Sequence, residues 1–412
     1  MSNLTMDKSS TPRALAGIRV LDLSRVLAAP LAAQWLGDLG ADVIKIERPG
    51  SGDESRTYGP PFLTDRDGKI TDTAAFYLSC NRSKKSVTVD HSTPEGQALI
   101  RDLASKSDVV LENFRAGALK KYSLDYASLA LVNPRLVYCS VTGFGQDGPY
   151  AKRPGYDGIF QAMGGLMSVS GHPDEPMKVG ISMVDILTSL YAGIAILAAL
   201  RYRDATGEGQ HIDLSLLDCS LASLSHFAMN YLVSGVVPTR RGNGGFGGVP
   251  SQAFQTKDRG IFIVAGTDKQ FSALCKAVDR LDLFADPRFN TTAGRIENRV
   301  ALLPLLNEVF KTRTQLQWLE LLEAADISVG PVNELADVFA DPQIQHRKML
   351  VETEHALAGT IRLLANPMRL SKTPVTEYLA PPLMGQHTRE VLGTVLGLDA
   401  AQLDTLAEKR VI

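Results

Sequence analysis

The stretch that decides the fold is "IRVLDLSRVLAAPLAAQWLGDLGADVIKIE", Ile18 to Glu47. "IRVLDL" (Ile18–Leu23) is a short apolar run rich in branched side chains, which reads as a strand. A helical pattern follows around "PLAAQWLGDLG" and ends at Gly40. "DVIKIE" (Asp42–Glu47) returns to a strand pattern. The same alternation continues downstream. "TPEGQALIRDLASK" has a good helix start, because Pro94 sits where proline is tolerated, between Thr93 and Glu95. "DVVLEN" (Asp108–Asn113) and "RLVYCSVT" (Arg135–Thr142) supply two more strands. Strands separated by helices of this length predict an α/β fold with a doubly wound parallel sheet.

From about Gly207 the pattern changes. "HIDLSLLDCSLASLSHFAMNYLVSG" reads as a strand leading into a long helix, followed by the glycine-rich "RRGNGGFGGVP", Arg240 to Pro250. "QAFQTKDRGIFIVAG" has the two apolar arms and turn of a hairpin. Helical segments run on to about Ala325, so this region reads as a smaller α+β domain. The last seventy or so residues carry a strand pair around "EHALAGTIRLL" and a helical region from "GQHTREVL". The expected boundaries are 1–222, 223–335 and 336–412, with no internal repeat.

At 412 residues the chain is long enough for two or three domains, each with its own core. Its 44% apolar and 21% charged residues describe an ordinary soluble globular protein. A net charge of −2 argues against nucleic acid as a partner. The N-terminal "MSNLTMDKSSTPRALAG" lacks the apolar stretch of a secretory signal. Cys80, Cys139, Cys219 and Cys275 form no CxxC pair, and the seven histidines show no HxxxH or HExxH spacing. These features predict a cytoplasmic protein that uses no metal.

Two segments bear on chemistry. In "VGISMVDILTSLYAGIAILAAL" (Val179–Leu200), Asp185 precedes fifteen uncharged residues, Ile186 to Leu200. That run is short for a membrane span and reads as a buried helix. An aspartate at its start is either an N-cap or a fixed, partly desolvated nucleophile. The second segment is "GFGQDG", where Gly143, Gly145 and Gly148 spell G-x-G-x-x-G after a strand. A dinucleotide cradle would open a helix there, whereas Pro149 and "YAKRPG" read as loop. An NAD oxidoreductase is therefore disfavoured.

Several ordered stretches together resemble the class III CoA-transferases. They are "LAGIRVLDLSRVLAAPLAAQWLGDLGADVIKIERPGSGD", "NRSKKSVTVD", "DVVLENFRAGAL", "VTGFGQDGPYAKRPGYDGIFQAMGGLMSVSG", "DILTSLYAGIAILAALRYRDATGEGQHIDLSLLD" and "PPLMGQHTREVL". The resemblance runs from about Leu15 to the C-terminus. It implies a large Rossmann-like domain built from both ends of the chain, a small middle domain, and a homodimer of interlinked subunits. It places the family's aspartate nucleophile at Asp185. Coenzyme A and acyl-CoA are the implied substrates, with Val26, Leu27, Arg48, Asn81, Lys84, Lys85, Asn113, Phe114, Lys121, Tyr156 and Asp157 along the CoA. For Asp157 the other reading is a helix cap. Gly244, Gly245, Gly247 and Gly248 match the family's glycine-rich lid loop; the plainer reading is a flexible link.

The implied chemistry is acyl exchange between carboxylates through an aspartyl anhydride and an aspartyl-CoA thioester. The same fold also serves 2-methylacyl-CoA racemases, whose histidine lies in a "GHDINY"-type motif. Here "GYDGIF" puts Tyr156 in its place, and a phenol is a poor base at neutral pH. A non-catalytic CoA-binding protein is the third possibility, one in which Asp185 would be dispensable. "LSHFAMNYLVSG", "PSQAFQTKDRGIFIVAG" and "GPVNELADVFADPQIQHRKMLVETEH" resemble the branch containing succinate–hydroxymethylglutarate CoA-transferase. That implies succinyl-CoA and a second dicarboxylic acid. A distal carboxylate suits an arginine. Arg25, Arg115, Arg240 and Arg241 are candidates, with the pair Arg240/Arg241 favoured.

Overall fold

In a computed structural model, which describes residues 13–245 and 247–412, the chain divides into two compact units. The first comprises residues 13–166, 179–229 and 347–412; the second comprises 167–178 and 230–346.

The first unit is built on six strands: β1 (Arg19–Asp22), β2 (Asp42–Glu47), β3 (Lys85–Thr88), β4 (Val109–Glu112), β5 (Val137–Thr142) and β6 (Gln210–Ser215). All pair in parallel, in the order β6-β5-β4-β1-β2-β3. Alternate residues of a strand face opposite sides of a sheet, and here both sides are packed. Val20, Val43, Val109, Leu111, Val137 and Cys139 join one core with α1 (Ala28–Asp38) and α4 (Met183–Thr206). Leu21, Ile44, Val87, Val110 and Tyr138 join the other with α2 (Pro94–Ser105) and the C-terminal residues Val391, Leu392, Leu403 and Val411. Thr93 caps α2 by accepting the Gly96 N–H, with Pro94 at the first helical position. The C-terminal segment also hydrogen-bonds to the sheet side: Asp90 N–H donates to the Val411 carbonyl at 2.7 Å, and His387 N–H to the Ser86 carbonyl at 2.9 Å.

The fifteen-residue apolar run lies in α4, which is long and apolar enough to cross a membrane by length and composition. In the structure α4 packs on α1, β5, β6 and two further helices of its own unit, α3 (Asp157–Met163) and α5 (Leu216–Ser223). Only one of its faces is covered. Leu190, Tyr191, Ile194 and Leu197 remain exposed, Ile194 by 64%. The long helix expected after β6 is two helices, Leu216–Ser223 and His226–Ser234. Ser225 between them adopts φ +45°, a left-handed conformation that no helix continues through.

The second unit has a three-stranded antiparallel sheet: β7 (Ser251–Gln255), β8 (Gly260–Val264) and β9 (Ser328–Pro331), in that order. The β7–β8 hairpin is the one read from "QAFQTKDRGIFIVAG", with Phe254 opposite Ile261. Its core holds Phe254, Ile261, Ile263, Phe271, Leu302, Phe310 and Trp318.

Candidate active site

Open parallel sheets bind ligands outside the carboxyl ends of their strands, where the strand order reverses. Here the order reverses between β1 and β4, and two cavities lie there. The first, about 490 Å³, is lined from the loops after β1, β2, β3 and β4 by Arg25, Arg48, His91, Phe114 and apolar residues including Leu23, Ile46 and Val89. The second, about 350 Å³, extends toward β5 and β6 and is lined by Val26, Leu27, Asn113, Thr142, Tyr156 and Asp185 among others. Arg25, Glu54 and Phe114 line both, so the two are adjacent stations at the strand ends.

Asp185 stands in the first turn of α4 but does not cap it. The N-cap position is Ser182, which makes no side-chain cap bond. The cap comes from Asp157, 28 residues earlier. Its Oδ1 accepts the backbone N–H groups of Val184 at 2.8 Å and Asp185 at 3.3 Å. Gln161, one turn along α3, donates to Asp157 Oδ2 at 2.6 Å and accepts the Val179 N–H at 2.8 Å. Because the orphan donors of the helix are satisfied from outside, the Asp185 carboxylate is left over. Among the described residues no hydrogen bond or ion pair reaches it. Burial, and secondarily the charge of Asp157, raise its pKa to about 7.

The loop that faces it, Arg25 to Leu27, is held in a strained form. Val26 has φ +71°, a left-handed conformation costly for a β-branched residue. Asn113 clasps the loop from β4: its Oδ1 accepts Arg25 N–H at 2.8 Å and its Nδ2 donates to the Arg25 carbonyl at 2.6 Å. Asp53 accepts the Val26 N–H at 3.2 Å. Burial alone would raise the Asp53 pKa, but the Lys45 ammonium at 2.7 Å and the bonds from Ser55 hold it down at about 2.

"GFGQDG" serves the same wall without a nucleotide cradle. A Cβ on Gly143 would come 2.6 Å from the Phe160 ring, and one on Gly155 would come 2.3 Å from it, so both glycines permit that packing. Gly145 and Gly148 turn the chain at positive φ, and no helix begins until Asp157.

The structure brings Val26, Leu27, Asn113, Phe114, Tyr156 and Asp185 to one cavity and Arg48 to its neighbour. Asp157 is behind Asp185, as its support. Tyr156 is the N-cap residue of α3 and is 70% exposed. Lys121 lies against the Tyr122 ring at 4.5 Å. Its charge, with those of Arg25 and Arg48, acts on His91, which stands in edge contact with Phe114 and Tyr122. Burial, aided by these three cations, lowers the His91 pKa. His91 carries no motif and is visible only in the fold.

Lys84, Asn81 and Lys85 are not brought to the cleft. Lys84 is fully buried and donates to Asp22 Oδ2 at 2.9 Å and to Asn81 Oδ1 at 3.0 Å. These contacts make it the counter-ion of a strand aspartate under the Arg25–Leu27 loop, not a group free to meet a phosphate. Lys85 pairs with Asp42 at 3.2 Å and Glu390 at 3.5 Å. Arg240 and Arg241 belong to the second unit. Arg240 donates to the carbonyl oxygens of His172, at 2.8 Å, and Pro173, so its guanidinium is engaged with backbone. The glycine loop is tied within its own unit: Gly244 bridges to Gln252, Gly245 N–H donates to the Ser251 carbonyl at 2.7 Å, and Gly248 lies directly on Gly266. Gly247 has open space where a side chain would be. Phe246 lies outside the described residues.

Fold and site together define a doubly wound α/β protein with a two-station cleft at its strand ends and, in it, a carboxylate unpartnered among the described residues. The chain belongs to CoA-transferase family III, whose model matches residues 15–388. It is a class III CoA-transferase. It is 41% identical over 399 residues to the succinyl-CoA:glutarate CoA-transferase of Homo sapiens, covering 97% of this chain and 90% of that protein. It is 44% identical over 384 residues to the succinate–glutarate CoA-transferase of Agrobacterium fabrum, covering 92% and 94%. The crystal structure of a CAIB/BAIF family protein from Brucella suis superposes with a TM-score of 0.85 at 43% identity, covering 94% of this chain and all of that one.

Proposed function

We propose that the enzyme moves CoA from succinyl-CoA to a second dicarboxylic acid, with Asp185 as the covalent carrier. The observation that carries this reading is the Asp185 carboxylate itself. It is partly desolvated, free of hydrogen bonds among the described residues and placed at the far station of the cleft. The cations Arg25 and Arg48, which line the near station beside His91, suit the phosphates of CoA. The apolar lining there suits adenine. The substrates follow from the relatives, two of which are named for succinate or succinyl-CoA with glutarate.

The steps balance without a proton. An Asp185 oxygen attacks the thioester carbonyl of succinyl-CoA, the C–S bond breaks, and CoA leaves as thiolate. The product is a succinyl–aspartyl anhydride. Thiolate attacks the aspartyl carbonyl and breaks the anhydride C–O bond. Succinate departs carrying an oxygen from Asp185, and aspartyl-CoA remains. The acceptor carboxylate attacks this thioester and expels thiolate. Thiolate then attacks the acceptor-derived carbonyl, releases the new acyl-CoA and restores the Asp185 carboxylate. Each intermediate hydrolyses readily, so the cleft must limit water. Asp157 keeps the attacking group in place through the helix end without occupying its oxygens.

The exposed apolar face of α4, extended by Ile159 and Leu221, supports a homodimer, since a contiguous apolar patch of this kind marks an interaction surface. The interlinked form of that dimer comes from the family resemblance.

Oxygen transfer tests the chemistry. With glutarate labelled by ¹⁸O in both carboxylates, steady-state turnover should deliver label into the released succinate, through Asp185. Asp185→Asn should abolish transfer. Active enzyme that releases unlabelled succinate would rule out the aspartyl carrier.

A further inference from the structure

The far station of the cleft has two ends. One is shared with the CoA-side cavity through Arg25, Glu54 and Phe114. The other is made by Val141–Gly143 at the end of β5, the loop Ala151–Tyr156, and Leu216 after β6. An acyl group bonded at Asp185 with CoA entering from the first end must extend toward the second.

Three arginines line this cavity: Arg25, Arg115 and Arg153. Arg25 is paired with Glu54 at 2.9 Å and lies over the Phe114 ring at 4.8 Å, at the CoA end. Among the described residues, Arg115 and Arg153 have no carboxylate partner. Arg153 is nonetheless held in place. Its guanidinium lies over Tyr150 at 4.5 Å and near Phe144 at 5.6 Å. Phe144 in turn packs edge-on against the buried Phe160 at 5.1 Å. The Arg153 backbone N–H donates to the Tyr150 carbonyl at 2.8 Å. Stacking orients a guanidinium by its face and leaves the N–H groups at its edge available to a planar anion. A four- or five-carbon diacid spans only about 4–5 Å between its carboxyl carbons. That length suits an anchor inside the same small cavity.

We propose that Arg153, with Arg115 lining the same cavity, forms the subsite that binds the distal carboxylate of the dicarboxylic substrate. The subsite rests on the reading of Asp185 as acyl carrier. It replaces the pair Arg240/Arg241, of which Arg240 is bound to backbone carbonyls. It selects diacids over monoacids because a monoacid leaves the guanidinium facing an alkyl end.

The test is an acceptor comparison with full-length enzyme and succinyl-CoA as donor. Glutarate is compared with pentanoate, which has the same carbon count and no distal carboxylate. The readout is the ratio of kcat/KM for the two acids, which a general loss of structure does not move. In Arg153→Gln the preference for glutarate should fall roughly 10- to 100-fold, as for loss of a charged hydrogen-bonded contact. The fall should lie mainly in the KM for glutarate, and Arg153→Lys should recover part of it. Arg115→Gln should lower the preference in the same direction, which keeps the test open if Arg153→Gln folds poorly. An unchanged ratio in the Arg153 variants and in Arg115→Gln would overturn the subsite alone. Wild-type enzyme that transfers CoA to neither acid would overturn the functional reading beneath it.

Discussion

Asp157 accepts the backbone N–H of Asp185 at 3.3 Å, and its negative charge helps to raise the pKa of the Asp185 carboxyl. One carboxylate thus caps the helix so that the next can stay unbonded. The two functions of Asp157 separate by mutation. Asp157→Asn keeps an oxygen for the Val184 and Asp185 N–H groups but removes the charge. The midpoint of the pH–rate profile should move to lower pH, with a smaller loss of Tm than in Asp157→Ala, since the new amide donor meets the Gln161 amide donor in place of an acceptor. Asp157→Ala loses the cap as well and should destabilise the protein by about 1–2 kcal/mol. Rate profiles and thermal melts of the two variants check this.

Asp185 attacks only when ionised. With a folded-state pKa near 7, transfer should rise with pH through about 7 and level off above it. The stability effect has the opposite sign. The folded pKa lies above the ordinary aspartate value, so the folded state binds the proton more tightly than the unfolded state does. Asp185 therefore costs nothing below about pH 4, costs progressively more up to pH 7, and a constant amount above. Asp185→Asn should be inactive yet more stable than wild type by about 2–4 kcal/mol at pH 8, with a smaller gain at pH 5. Denaturant titrations at both pH values measure it.

Lys84 and Arg48 are both basic residues near the cleft in sequence terms, but they should fail differently. Removing Lys84 leaves Asp22 buried and unpaired, so Lys84→Met should destabilise the fold by about 3–5 kcal/mol. Arg48 is exposed at the rim of the CoA-side cavity. Arg48→Gln should weaken CoA binding, with a stability change within about 0.5 kcal/mol. Chemical denaturation and CoA titration calorimetry distinguish the two.

The uncovered side of α4 predicts self-association. Ile194→Glu places a charge in the middle of the exposed apolar face and should convert a dimer to monomer in light scattering. A monomeric wild type would refute the assignment of that face.

The sequence made the sheet easy to read and the site only partly so. β1, β2, β4 and β5 are buried on both faces, so they appear as apolar runs, and the capping of α2 by Thr93 lies within three residues. The site depends on partners far apart in sequence. Nothing local tells that Asp157 caps a helix beginning at Met183, so the local sequence leaves both readings of Asp185, cap or nucleophile, open. Lys84 looks like a phosphate ligand in "NRSKKS" because its partner, Asp22, is 62 residues away and hidden in the apolar "IRVLDL". The charges inside β1 and β2 were the available signal of a buried network. Arg153 sits in "AKRPGYD", a loop with no periodicity, and only the meeting of that loop with Asp185 in one cavity distinguishes it from its neighbour Lys152.

The most direct test of covalent catalysis at Asp185 is intact-protein mass spectrometry after mixing with succinyl-CoA and hydroxylamine. Hydroxylamine converts an aspartyl thioester to a hydroxamate, a gain of about 15 Da that peptide mapping can place. The gain should map to Asp185 and be absent in Asp185→Ala. Active enzyme that shows no adduct, or shows it at another residue, would contradict the mechanism.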